Sequence, residues 1–131
     1  MKTKTIKQKI LFKASVHDVY EALMDSRKHA RFTGGAAQIS RKAGGKFSIY
    51  DGYATGKNIE IIEDKKIVQT WRASDWEEGD NSEVTFLFTP AKNGCALEFI
   101  QRNVPIKHYS SIKKGWTDFY WKPMKKMLEN A

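Results

Sequence analysis

The chain has 131 residues, a usual length for one domain, and a chain of this size buries roughly two-thirds of its unfolded surface on folding. Cys95 is its only cysteine, so an intrachain disulfide is excluded, and no run approaches the ~18 consecutive apolar residues of a membrane span. The net charge is +8. The first residues are basic but lack the apolar run of a signal peptide, so we expect a cytoplasmic protein.

Charge is unevenly placed along the chain. Lysines crowd the first strand region and the last helix: Lys2, Lys4, Lys7, Lys9, Lys107, Lys113, Lys114, Lys122, Lys125 and Lys126. Between these two clusters lies an acidic loop made of Asp75, Glu77, Glu78, Asp80 and Glu83. A basic excess suits nucleic acid, an anionic membrane or an acidic protein partner. The simpler interpretation is a solvated surface that keeps the protein soluble.

The first part of the chain predicts one strand followed by two short helices. Residues 6–12 alternate apolar with polar side chains, which is the period of a strand. Ser15, with Asp18 three residues later, resembles a capping box and predicts a helix start. One face of that helix would carry Val16, Val19, Tyr20 and Leu23. Ser26 is placed to cap a second short helix, which the Gly34-Gly35 pair would end.

From residue 38 to about residue 103 the apolar period changes from 3.6 to 2, which is the period of a strand. The strand-like runs are residues 38–40, 47–49, 58–61, 67–71, 84–88 and 96–99. Turn signals separate them, and Asn93-Gly94 is the strongest, because a type I′ hairpin turn needs positive φ at both central residues. Short turns between consecutive strands predict an antiparallel meander.

The last segment returns to a helical period. Its inner face would carry Tyr109, Ile112, Trp116, Phe119, Tyr120, Met124 and Met127. Pro123 should bend or interrupt this helix, because proline lacks an amide donor and crowds the preceding turn. Such an apolar stripe must be covered, and the inner face of the sheet is the available surface.

These elements predict an α+β, helix-grip fold in a single domain over residues 1–131. A curved antiparallel sheet of six to seven strands would wrap around the long C-terminal helix, with two short helices after the first strand. Such a sheet often leaves a cavity beneath the helix, because two curved surfaces with bulky side chains rarely fill the space between them.

Short segments with a defined order and spacing run through nearly the whole chain: Asp18-Val19-Tyr20-Glu21-Ala22-Leu23, Phe32-Thr33-Gly34, Gly44-Gly45-Lys46-Phe47-Ser48, Asp51-Gly52, Gly56, Ile67-Val68-Gln69-Thr70-Trp71-Arg72, Asp75-Trp76, Val104-Pro105, Gly115-Trp116 and Tyr120-Trp121. Together they resemble the family of homologues of the activator of the heat-shock protein 90 ATPase, within the START and Bet v 1-like superfamily. The resemblance implies the same helix-grip fold. It also implies two different functions, action on the chaperone or the superfamily's commoner theme of binding an apolar small molecule in the cavity.

Catalytic and metal-binding patterns are not found in the sequence. His17, His29 and His108 lie far apart and have neither metal-ligand spacing nor neighbouring cysteines. Nothing basic near Cys95 in sequence would activate its thiol, so a small inert residue is the favoured interpretation. We therefore expect a protein that is not an enzyme and that holds no cofactor or metal.

Strand alternation selects the residues that would line a cavity. It places Ile67, Gln69 and Trp71 on the inner face of their strand, while Arg72 on the outer face could pair with Glu98 or with the acidic loop. Ile59 is expected to share an inner face with Ile61. The cavity candidates are Phe47, Ile49, Ile61, Gln69, Trp71, Phe86, Phe88, Leu97, Phe99, Tyr109, Ile112, Trp116 and Tyr120. Most of them must also serve as ordinary core.

Three functions remain open on the sequence alone. The first is a non-enzymatic domain that holds a small apolar or amphipathic ligand between sheet and helix. The alternative is a co-chaperone-like interaction module acting on a heat-shock protein 90 chaperone, and the third is an aromatase/cyclase-type enzyme. Candidate partner-binding residues are Lys113, Lys114, Lys122, Lys125, Lys126, Asp75, Glu77 and Glu78. Nucleic acid is not expected, because the aromatic side chains occupy the buried stripe of the last helix.

Overall fold

Seven strands form one antiparallel sheet in the computed structural model, which describes residues 2–129. The strands are β1 Thr3–Phe12, β2 Gln38–Ile39, β3 Lys46–Ile49, β4 Ala54–Ile62, β5 Lys66–Ala73, β6 Ser82–Ala91 and β7 Gly94–Pro105. Their order across the sheet is β1-β7-β6-β5-β4-β3-β2, so β1 and β2 are the two terminal strands. The predicted meander and strand count are confirmed.

Two short helices, α1 Val16–Met24 and α2 Ser26–Thr33, follow β1 as predicted. The side chain of Ser15 caps α1 by accepting a hydrogen bond from the amide of Asp18 at 3.0 Å. The cap of α2 is Asp25, whose carboxylate accepts from the amide of Lys28, so the assignment of Ser26 as the cap was wrong by one residue. Gly34 ends α2 in the left-handed conformation, with φ of 79°.

The hairpin between β6 and β7 is confirmed, but its turn differs from the predicted type I′ turn. Ala91 pairs with Gly94, so the two loop residues are Lys92 and Asn93, and only Asn93 has positive φ (68°). Gly94 instead begins β7 and permits a close approach to β1. A Cβ at this position would lie 1.9 Å from the carbonyl oxygen of Phe12.

A register shift between Asn58 and Glu60 changes which side chains of β4 face inward. Ile59 is 50% exposed, so its predicted inward position was wrong, and Asn58 is buried instead. The Asn58 amide donates to the carbonyl oxygens of Ser40 (2.7 Å) and Lys42 (3.1 Å) and accepts a hydrogen bond from Gln69. The bulge therefore links the irregular segment after β2 to the inner face of the sheet.

The C-terminal helix has three parts, α3 Ile106–Trp116, a π-helical turn Thr117–Trp121 and α4 Lys122–Glu129. The amide of Lys122 bonds to the carbonyl of Thr117, five residues back, directly before Pro123. Because Pro123 has no amide hydrogen, the widened turn accommodates the missing donor, and the predicted interruption is confirmed. The extra residue in the turn rotates Phe119 outward, so its predicted inner position was wrong, and its side chain is 52% exposed.

The sheet curves so that both of its ends contribute to one hydrophobic core beneath the C-terminal helix. Ile6 of β1, Phe47 of β3 and Trp116 of α3 all belong to this core. Trp116 lies at its centre, with ring centroids 4.4 Å from Phe99 and 4.5 Å from Tyr120. Among residues 2–129, no helix combines the length and apolar composition needed to cross a membrane.

Candidate functional site

An aromatic pocket of about 450 Å³ lies beside the C-terminal helix, between its α3 and π-helical parts and the β3–β4 turn. Its lining residues are Ile49, Tyr50, Tyr53, Ala54, Trp71, Asp75, Ser111, Ile112, Gly115, Trp116, Phe119 and Tyr120. The wall is mostly apolar, and Asp75 brings the acidic loop to its rim. The volume falls within the range of small-molecule pockets, roughly 300–1,000 Å³.

Part of the predicted cavity lining meets in this pocket. The cavity candidates that line it are Ile49, Trp71, Ile112, Trp116 and Tyr120. Phe47, Gln69 and Phe86 border a separate void of about 20 Å³, which is about the size of one water molecule. The remaining candidates lie outside the pocket: Ile61, Phe88, Leu97, Phe99 and Tyr109. That any of these residues contacts a ligand stays a prediction.

Three aromatic residues that line the pocket are not among the cavity candidates predicted from the sequence. Tyr50 and Tyr53 belong to the β3–β4 turn, where Tyr50 and Asp51 both have positive φ. Tyr53 is 40% exposed and packs edge-on against Trp71, with ring centroids 6.4 Å apart. The outward rotation of Phe119 places its ring 5.7 Å from that of Tyr50. Strand and helix periodicity cannot reveal such contacts, because they depend on the turn geometry and the π-helical turn.

A chain of hydrogen bonds buried in the core fixes the wall of the pocket. The indole Nε1–H of Trp116 donates to Oε1 of Gln101 (2.8 Å), and Nε2 of Gln101 donates to Oγ of Ser82 (2.9 Å). The Ser82 hydroxyl in turn donates to the carbonyl oxygen of Trp71 (2.7 Å). Because these side chains are all buried, this series of hydrogen bonds couples the position of the helix to β5, β6 and β7.

Two tryptophans near the pocket hold indole N–H groups without a partner among the described residues. These are Nε1 of Trp71 and Nε1 of Trp76, and Nε2 of His108 is also buried without a partner there. The rings of Trp71 and Trp76 lie 5.5 Å apart, and His108 stacks on Trp76 at 6.0 Å. Buried donors normally have an acceptor, so these groups depart from the usual pattern of buried polar atoms in folded proteins.

A buried histidine ties α2 to the π-helical turn. Nε2 of His29 lies 2.7 Å from the hydroxyl of Tyr120, and Nδ1 lies 3.2 Å from the carbonyl oxygen of Leu23. Burial lowers the pKa of His29 to about 4 and raises the pKa of Tyr120 well above its ordinary value. At neutral pH the histidine is therefore neutral. Nδ1–H donates to Leu23, and Nε2 accepts the Tyr120 hydroxyl hydrogen.

The acidic loop is held through its backbone. The guanidinium of Arg72 donates to the carbonyl oxygens of Trp76 (3.0 Å), Glu77 (3.1 Å) and Asp80 (2.8 Å). Of the two pairings expected for Arg72, the one with the acidic loop is therefore formed, through main-chain oxygens, and the one with Glu98 is not found among residues 2–129. The ammonium of Lys107 lies 2.7 Å from Glu77, and this contact lowers the pKa of the Glu77 carboxyl.

A basic groove of about 620 Å³ lies on the opposite side of the C-terminal helix, against β1. Its lining residues are Gln8, Lys9, Ile10, Leu11, Thr117, Trp121, Lys122 and Lys125. Of the predicted partner-binding lysines, Lys122 and Lys125 line this groove, whereas Lys113, Lys114 and Lys126 are exposed elsewhere on the helix. The predicted acidic candidates Asp75, Glu77 and Glu78 are exposed at the acidic loop. The helix thus separates an aromatic surface with an acidic rim from a basic one.

The model of the "Activator of Hsp90 ATPase homolog 1-like protein" family matches residues 13–129 of the chain. The chain belongs to this family. The activator of 90 kDa heat shock protein ATPase homolog of Dictyostelium discoideum is 36% identical over 87% of the chain and 30% of that protein. Homolog 1 of Homo sapiens is 27% identical over 87% of the chain and 34% of that protein. The chain thus spans about a third of the length of these curated relatives.

A solved structure supports the same family fold. The crystal structure of an HSP90 activator from Plasmodium falciparum is similar to this family member with a TM-score of 0.89 and 28% sequence identity. The similarity covers 95% of this protein and 96% of the Plasmodium chain. The resemblance stated from the sequence is confirmed, and so is the helix-grip fold.

Groups that could perform chemistry are sparse in this family member. Within residues 2–129, no three His, Cys, Asp or Glu side chains are grouped so that they could hold a metal ion. Cys95 is buried, and burial raises the pKa of its thiol, which disfavours the reactive thiolate. The relatives are named as activators of another protein's ATPase, not for a reaction of their own.

Proposed function

We propose that the chain is a protein-interaction module that acts on a heat-shock protein 90 chaperone. Its membership of the family of Hsp90 ATPase activators carries this proposal. Relatives from Dictyostelium and human and the related Plasmodium structure, all named as activators, support it. The interaction module was the alternative hypothesis from the sequence, and it now takes precedence over the small-ligand domain.

The aromatic pocket is the surface that we propose for this contact. Its outer wall contains Tyr53 and Phe119, which are 40% and 52% exposed, beside the buried indole of Trp71. Aromatic side chains around a recess are frequent energetic centres of protein interfaces. The pocket would receive an apolar side chain of the chaperone, and Asp75 at the rim would favour a partner with basic residues next to that side chain.

Calorimetric titration of the purified chain into the chaperone of the same organism tests the proposal. The double variant Tyr53→Ala/Phe119→Ala should weaken binding by about tenfold or more, because interface aromatic residues commonly contribute the largest losses. Ile59→Ala is the matched control, since Ile59 is also half exposed but lies on β4 away from the pocket. The control should bind as the wild type does. No binding by the wild type, or equal losses in both variants, would contradict the proposal.

A small apolar or amphipathic ligand in the same pocket is the second candidate. The observation in its favour is the volume of about 450 Å³ combined with the mostly apolar lining. Amide NMR titration with fatty acids, sterols and flat aromatic compounds should give saturable shifts around Ile112 and Phe119 if this candidate is right. Spectra unchanged by the whole panel would count against it. The third hypothesis, an aromatase/cyclase-type enzyme, has no observation in its favour among residues 2–129, and we do not propose it.

A further inference from the structure

We propose that the basic groove binds an acidic, extended segment of the partner protein. The inference rests on the proposed function, because it states the chemistry by which the partner would be held at a second surface. It concerns the side of the C-terminal helix opposite the aromatic pocket.

The charge of the groove is of one sign. The groove is lined by Lys9, Lys122 and Lys125. Among residues 2–129, no Asp or Glu lines it. Lys122 lies 3.5 Å from Asp118 in an exposed pair, which offsets little of its charge. Lys9 and Lys125 have no carboxylate within 4.0 Å in the described part of the chain. Lys9 stands directly opposite Glu98 of β7 in the sheet register, so Lys125 is the groove lysine whose charge is least offset among residues 2–129.

The shape of the groove suits an extended chain. β1 is a terminal strand of the sheet, so one of its edges has no neighbouring strand among residues 2–129. Such an edge presents backbone donors and acceptors to which another extended segment can add. Lysines on an edge strand also serve in many proteins to repel other strands. An acidic segment is the kind of chain that these lysines would attract instead.

The floor of the groove is apolar and held in place. Ile10 and Trp121 are buried, whereas Leu11, the next residue of β1, is 60% exposed and points to the opposite face of the sheet. The indole Nε1–H of Trp121 donates to Oε1 of Gln8 at 2.8 Å, which fixes the helix against β1. A groove lined by both lysines and apolar residues suits a segment in which acidic and apolar residues alternate, because successive side chains of an extended segment point in opposite directions.

A peptide fits this groove better than nucleic acid does. Single-stranded nucleic acid is held by exposed aromatic rings on which bases stack. Among residues 2–129, Trp121 is the one aromatic residue that lines the groove. Its side chain is 4% exposed and therefore offers no surface on which a base could stack.

Fluorescence anisotropy of a labelled decapeptide of alternating Glu and Val, titrated with the full chain at low salt, tests the inference. The double variant Lys122→Glu/Lys125→Glu should weaken binding by about tenfold or more, and added salt should weaken wild-type binding. Lys42→Glu/Lys65→Glu is the charge-matched control, because both lysines are exposed and lie outside the groove lining. This control should stay within about twofold of the wild type.

The inference is overturned if both double variants lose binding equally, since net charge alone would then explain it. It is also overturned if a peptide of alternating Lys and Val binds as tightly, or if a single-stranded thymidine decanucleotide competes at equal concentration. If the groove variant loses the peptide but binds the chaperone unchanged, the link to this partner fails. If the peptide results hold while the wild type does not bind the chaperone, the proposed function fails and the groove assignment remains.

Discussion

Replacing Gln101 by leucine should test whether the buried hydrogen-bond chain holds the helix against the sheet. The Gln101→Leu side chain is similar in size but leaves the indole N–H of Trp116 without its acceptor at 2.8 Å. A buried donor without a partner costs about 1–3 kcal/mol, and the lost bond to Ser82 (2.9 Å) adds about 0.5–1.5 kcal/mol. We therefore expect the free energy of unfolding to fall by about 2–4 kcal/mol.

Urea denaturation followed by circular dichroism measures this loss, and thermal denaturation should show Tm lowered by about 8–16 °C. The double variant Gln101→Leu/Trp116→Phe removes the orphaned donor. Its loss should therefore be about 1–3 kcal/mol smaller than the sum of the two single losses. A single-variant loss below about 1 kcal/mol, or strictly additive losses, would refute the role that we assign to this chain of bonds.

Three further predictions concern other contacts of the fold. The free energy of unfolding should fall by up to about 3 kcal/mol as pH drops from 6.5 towards 4. The reason is that His29 binds a proton in the unfolded chain over this range but stays neutral in the folded chain, where its pKa is about 4. Denaturation at several pH values measures this loss, and the variant His29→Gln should make stability less dependent on pH. Gly94→Ala should lower the free energy of unfolding by about 3 kcal/mol or more, because its Cβ would lie 1.9 Å from the carbonyl oxygen of Phe12. The control Gly115→Ala should not lower it, since the nearest atom to its Cβ is 3.7 Å away. Thermal denaturation measures both changes. Arg72→Ala removes three charge-assisted hydrogen bonds to the acidic loop, so amide hydrogen exchange in that loop should become roughly tenfold faster or more. Unchanged exchange rates would contradict the anchoring role of Arg72.

The periodicity of the sequence was sufficient for the fold and for part of the pocket. Alternation placed Ile67, Gln69 and Trp71 on the inner face correctly, because β5 runs without a register shift at these positions. The same argument failed at Ile59, where a bulge in β4 exchanges the inner and outer faces. A bulge adds one residue without a distinctive side chain, so alternation alone does not locate it.

The helix shows the same limit. Pro123 correctly indicated an interruption, but a helical wheel of constant period cannot show that the π-helical turn carries Phe119 outward. The pocket depends on that rotation and on the positive φ of Tyr50 in the β3–β4 turn. Likewise, main-chain carbonyl partners such as those of Arg72 are not visible in a pattern of side-chain charges.

The steady-state ATPase rate of the heat-shock protein 90 chaperone, measured with increasing amounts of the purified chain, tests the central claim most directly. Our account predicts a saturable change in the rate that the Tyr53→Ala/Phe119→Ala variant loses and the Ile59→Ala control retains, because the exposed aromatic residues of the pocket would carry the contact. A rate that stays at the value for the chaperone alone, across concentrations at which the chain is folded and soluble, would contradict the account.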